Sequence, residues 1–168
     1  MIFFYALVGA VVFIDQLSKF LALQYLSPYA SVLLIPHVLD LTLVKNSGVA
    51  FGLLSGYAPA LFTVITISLV CLFLIANRSH GTTARLRGGS PSSPQEREAV
   101  HGTSIVDRWA LSLILGGAIG NWIDRLRFGA VIDFIDFRIF PVFNIADTAI
   151  TIGVGLYFIH VFTSKDKT

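Results

Sequence analysis

Asp15, Asp124, Asp133 and Asp147 each lie inside or at the edge of a long apolar segment. A carboxylate at membrane depth costs roughly 2.5–3.5 kcal/mol on insertion scales, so such residues face a bundle interior and do a job there. Asp133, in VIDFIDF, and Asp147, in FNIADTA, flank one short loop between two apolar stretches. That spacing allows two carboxyl groups to share one site at a membrane surface. Such a pair suits hydrolysis, with one carboxyl as general base toward a water and the other as general acid.

Other polar residues fall where they can frame that pair. Asn144 and Asp147 open the last apolar stretch. An N-cap asparagine with an acid in the first turn accounts for either residue alone. It does not account for the continuing stripe Asn144, Asp147, Thr148 and Thr151, which spacings of three and four place on one helix face. The segment GGAIGNWIDR supplies a matching face: Gly117, Asn121 and Asp124 lie at i, i+4 and i+7, followed by Arg125. Gly116 and Gly120 form a small-xxx-small pair that permits close helix approach. Asp15 and Lys19, four apart with the acid first, suit an intrahelical ion pair; self-neutralisation and substrate contact are equally open to them. In NSGVAFGLLSG (46–56), Asn46 offers a donor and an acceptor, and Gly48 and Gly52 permit close backbone approach. A plain turn and a binding lip for a peptide backbone both fit that segment.

The elements that position these residues follow from composition. Of 168 residues, 55% are hydrophobic and 13% charged, against about 25% charged in soluble domains; mean hydropathy is +0.77. The chain therefore reads as an α-helical integral membrane protein forming a single domain over residues 1–168. Four stretches approach the roughly 20 apolar residues that a spanning helix needs: about 2–26, 58–77, 105–124 and 145–163. The first lacks the basic start and cleavage site of a signal peptide and reads as a retained helix. Arg78, Arg85, Arg87, Arg97, Arg108, Lys165 and Lys167 outweigh Lys45, Arg125, Arg127 and Arg138, which predicts cytoplasmic termini. Residues 78–104, with GGSPSSPQERE and no apolar period, read as a flexible cytoplasmic loop. On the other side, SVLLIP, HVLDLTLV and AVIDFIDFRIF predict a small β-like cradle. In the last of these, Val131, Asp133, Ile135 and Phe137 share one face and Ile132, Phe134, Asp136 and Arg138 the other.

Several functions are disfavoured. A net charge of +2, with no basic cluster interleaved with aromatics, gives no nucleic-acid surface. His37, His80, His101 and His160 lack ligand spacing and Cys71 stands alone, so neither a metal site nor another cofactor is expected. Intramembrane Asp and Lys also mark ion paths, which makes a small proton-coupled transporter the rival to a hydrolase. The lack of an internal repeat weighs against it.

Taken together, DQLSK (15–19), NSGVAFG (46–52), GGAIGNWIDR (116–125), VIDF (131–134) and FNIAD (143–147) resemble, in order, the bacterial lipoprotein signal peptidase family, signal peptidase II. The resemblance implies an aspartic peptidase of the bacterial plasma membrane, with four helices and an external cradle. Its catalytic pair would be Asp133 and Asp147. Asp15, Lys19, Asn46, Gly52, Asn121, Asp124, Arg125 and Asn144 would bind substrate or support the site. It further implies cleavage of a prolipoprotein before its diacylglyceryl-modified cysteine, contact with membrane lipids, and inhibition by the cyclic peptide globomycin. The loop between the second and third stretches departs from the family pattern in being long and rich in Ser, Pro and Arg.

Overall fold

The computed structural model describes residues 2–47 and 104–165. The predicted second helix (58–77), Gly48, Gly52, Cys71 and all of the 78–104 loop except Ser104 lie outside the described residues. Within them the order is α1 (Ile2–Tyr25), β1 (Val32–Ile35), β2 (Leu39–Asn46), α2 (Ile105–Phe128), β3 (Val131–Asp136) and α3 (Ile145–Lys165).

The helices are patterned inside out. On α1 the buried positions are Val11, Asp15, Lys19 and Ala22, while Phe13, Ile14, Phe20 and Leu21 point outward. A soluble helix buries its apolar face and wets its polar one. The reverse arrangement suits an apolar solvent, where backbone polar groups are satisfied within the helix. Among the described residues, Ile2–Tyr25 and Ile145–Thr163 are long and apolar enough to cross a membrane.

Helix α2 packs between α1 and α3 through its glycines. A Cβ on Gly116 would stand 2.7 Å from Val11 Cβ, and one on Gly120 would strike the Asp15 carboxylate. On the opposite flank, a Cβ on Gly117 would strike the Ala146 carbonyl and lie 2.8 Å from Ile150. Gly153 of α3 returns the contact against the Ala110 carbonyl. The sequence places the end of this helix near residue 124; it runs one turn further, to Phe128. Gly129 supplies the left-handed stop there (φ 68°), its N–H donating to the Arg125 carbonyl. At the other end Ser104 and Asp107 form a capping box.

The three strands form one antiparallel sheet in the order β1-β2-β3. Between β2 and β3 the register shifts from Leu41↔Ile135 to Val44↔Asp133, and Asn46 ends opposite Val131. β3 spans Val131–Asp136, so Phe137 and Arg138 of the expected run lie beyond it. Val131 through Phe134 are buried on both faces, because α1 and α2 also pack against the strand. After β3 the chain turns through Arg138 (φ 62°), whose guanidinium pairs with Asp40. It then folds back so that Phe143 exchanges backbone hydrogen bonds with Ile135 and stacks on Phe137. That return delivers Asn144 and the start of α3 beside β3.

Candidate active site

Asp133 and Asp147 meet through asparagines. Asp133, at the centre of β3, is buried; its Oδ1 accepts from Asn144 Nδ2 at 2.6 Å and its Oδ2 from Asn46 Nδ2 at 2.9 Å. The strand register explains the second bond. Asn46 pairs with Val131, so Asp133 is its diagonal neighbour on the same face. Burial pushes the Asp133 carboxyl up to about 6; the amides of Asn46 and Asn144 pull against that rise, and the charge of neighbouring Asp147 adds to it.

Asp147 is half-buried in the first turn of α3. Its Oδ1 accepts from Asn121 Nδ2 at 2.8 Å, and its Oδ2 from the Asn144 backbone N–H at 3.3 Å. The Asp147 N–H donates in turn to Asn144 Oδ1 at 2.9 Å, the reciprocal form of a capping box. Helix capping and site construction are thus the same set of bonds. One asparagine, Asn144, reaches both carboxyls, that of Asp133 through its side-chain amide and that of Asp147 through its backbone N–H, and the more accessible of the two acids is Asp147.

Behind the acids lies a buried ionic cluster. Lys19 is 2% exposed, and its Nζ lies 2.9 Å from Asp15 Oδ2, 2.8 Å from Asp124 Oδ2 and 2.9 Å from Asn121 Oδ1. The intrahelical Asp15–Lys19 pair is therefore present, and α2 supplies the second and third partners of Lys19. Both side chains are shut away from the surface. Arg125 is bonded to the Asn121 carbonyl at 3.2 Å and lies within electrostatic reach of Asp147, Asp124 and Asp133. Of the ten residues singled out by sequence, nine converge here; Gly52 lies outside the described residues.

Gln16 was missed. Its Nε2 bonds Asp124 Oδ1 at 2.9 Å, the Gly120 carbonyl at 3.1 Å and Asp15 Oδ2 at 3.2 Å, tying α1 to α2. The available signal was a carboxamide adjoining Asp15 within an apolar run, where an amide needs internal partners. Asp136, two residues beyond Asp133, has a different task. It accepts from Thr42 Oγ1 and the Arg138 N–H and so shapes the turn.

This geometry brings two carboxyls together between helices and sheet, and known proteins resemble the chain over nearly its whole length. A solved chain described as a bacterial membrane enzyme, obtained by the in meso method at 2.3 Å, superposes with a TM-score of 0.75 at 30% identity, covering 100% of this chain and 92% of that one. A second, described likewise at 1.9 Å, gives 0.72 at 31% identity, covering 96% and 93%. The signal peptidase (SPase) II profile matches residues 7–89 and 95–163. A lipoprotein signal peptidase of Halothermothrix orenii is 35% identical over 96% of both chains, and one of Geobacillus thermodenitrificans is 41% identical over 96% of this chain and 90% of its own. The chain belongs to the signal peptidase II family. It is a membrane-located peptidase, and the transporter reading has no support.

Proposed function

We propose that the chain is an aspartic endopeptidase that removes the signal peptide of prolipoproteins by hydrolysing the bond before the diacylglyceryl-modified cysteine. Asp133 and Asp147 are its catalytic pair. The observation that carries this reading is the single asparagine, Asn144, which donates its side-chain amide to the Asp133 carboxyl and its backbone N–H to that of Asp147, with Asn46 and Asn121 completing the shell. Two neighbouring carboxyls do not ionise together easily, so the pair holds one proton over a useful pH range. Asp133, whose ionisation burial opposes, keeps that proton; the more accessible Asp147 is the base. Asp147 takes a proton from a water as it attacks the scissile carbonyl. Asp133 hydrogen-bonds the developing oxyanion and then protonates the leaving cysteine nitrogen. Every bond in that scheme is made by two acids and a water. Asn121, Asn144 and Arg125 orient the carboxyls and the peptide.

The architecture we infer around this chemistry is one domain of four transmembrane helices, with both termini and the 78–104 loop cytoplasmic. The sheet acts as an extracytoplasmic cradle for the substrate backbone, and the family resemblance adds Gly52 to the substrate-binding residues. The apolar outer faces of α1 and α3 meet membrane lipid, and the cyclic peptide globomycin would compete with substrate for the site.

The test is cleavage by purified enzyme in detergent, read by gel mobility. A prolipoprotein bearing the diacylglyceryl group is expected to be cut and the unmodified form left intact. Equal turnover of the two would point to a general membrane aspartic peptidase.

A further inference from the structure

Each hydrogen bond of the Lys19 ammonium leads to one of the two acids. Asp124, on one side, also accepts the Ile132 N–H through Oδ2 at 3.0 Å, and Ile132 directly precedes Asp133. Asp15, on another, accepts the Ala146 N–H through Oδ1 at 2.9 Å, and Ala146 directly precedes Asp147. Asn121, the third partner, presents its Nδ2 to the Asp147 carboxylate. Lys19 can only donate. It therefore holds Asn121 Oδ1 toward itself and leaves the N–H side of that amide for Asp147; the reversed amide would set a carbonyl oxygen against a carboxylate. Asn144 Nδ2 also reaches Asn121 Oδ1, at 3.1 Å, but shares its two protons with Ile132 O and Asp133.

We propose that Lys19 is the positioning residue of the catalytic pair: through Asp15, Asp124 and Asn121 it fixes the backbone before each acid and the amide that Asp147 receives. This rests on the assignment of Asp133 and Asp147 as the catalytic pair. One buried cation thus sets the spacing of two acids carried on different elements, β3 and α3. Its side chain, 2% exposed, meets no substrate.

Because Lys19 acts on geometry alone, its loss should lower kcat and leave KM for the diacylated prolipoprotein unchanged. A misplacement of about 1 Å costs on the order of a hundredfold, so Lys19→Met should cost about ten- to a hundredfold in kcat. Asn121→Ala removes one arm of the same device, so the double variant Lys19→Met/Asn121→Ala should be little worse than the poorer single. Lys19→Met leaves two buried acids unpaired. If it fails to accumulate in membranes, Asp15→Asn/Lys19→Met carries the same cycle, since it keeps the net charge of the cluster and an acceptor for the Ala146 N–H. A raised KM with normal kcat, losses that multiply, or near-normal turnover would each overturn the proposal. Asp147→Asn is run alongside: if it stays active, the assignment of the pair has failed, and not the role of Lys19.

Discussion

Asp133 is the residue whose environment makes the sharpest statement. Burial and the nearby Asp147 charge raise its carboxyl from 3.8 to about 6. If it supplies the shared proton, kcat/KM of the free enzyme falls as pH rises through about 6. Asn46→Ala removes an amide that favours the ionised form and should move that falling limb to higher pH. A limb unmoved by the substitution would mean that another group supplies the proton. Stability carries the same signature. Between 3.8 and about 6 the folded chain keeps a proton that the unfolded chain has released, so stability declines as pH rises through that window. Thermal unfolding of Asp133→Asn in detergent should lack this part of the decline. Asp133, Asp147, Asn121 and Asn144 were legible in the sequence because each is a polar residue inside or at the edge of an apolar run, and Asn46 because it opens a glycine-bearing turn. Gln16 was not, since an uncharged amide beside an acid gives a weaker version of that signal.

Among the elements, the site depends on helices approaching closely enough for buried side chains to bond. Gly120→Ala would drive a methyl into the Asp15 carboxylate, and Gly117→Ala one into the Ala146 carbonyl. Overpacking of this kind costs about 1–3 kcal/mol, and both changes also push on the Asp15–Ala146 contact that immediately precedes Asp147. Each variant should unfold at lower temperature and lose activity, whereas Gly155→Ala, with nothing described within 4 Å, should leave both unchanged. Equal behaviour of all three would mean that α2 does not need this proximity. The small-xxx-small spacing announced the contact with α1. Two things were not legible: the extra turn of α2, which depends on Gly129 adopting φ 68°, and the β2–β3 register shift that aims Asn46 at Asp133. Local φ values and register are settled by what packs against the strand, and a single sequence does not display that.

For the whole molecule, the substrate's lipid should matter more than its peptide. Burial of an acyl chain is worth about 0.8 kcal/mol per CH₂, so even partial engagement outweighs the few polar contacts of a short peptide. Shortening the acyl chains of a synthetic substrate should therefore raise KM progressively, with little change in kcat once bound; a KM independent of chain length would contradict delivery through the bilayer. Replacing residues 80–103 by a short Gly/Ser connection, with one or two arginines kept for topology, should preserve activity. Loss of activity at normal expression would assign that loop a part in substrate or partner binding. Class and family could be read from hydropathy and five ordered motifs, because a membrane protein displays its burial pattern as an inverted one. The three-armed connection of Lys19 to both acids could not be read, since it joins α1, α2, β3 and α3 through contacts more than 100 residues apart.

The joint action of Asp133 and Asp147 in hydrolysis is tested by Asp133→Asn, Asp147→Asn and the double variant, each purified in the folded state and given a diacylated prolipoprotein. The expected result is no cleavage by either single variant and no further loss in the double, because the two carboxyls act as a unit. Near-normal processing by either single variant would contradict it.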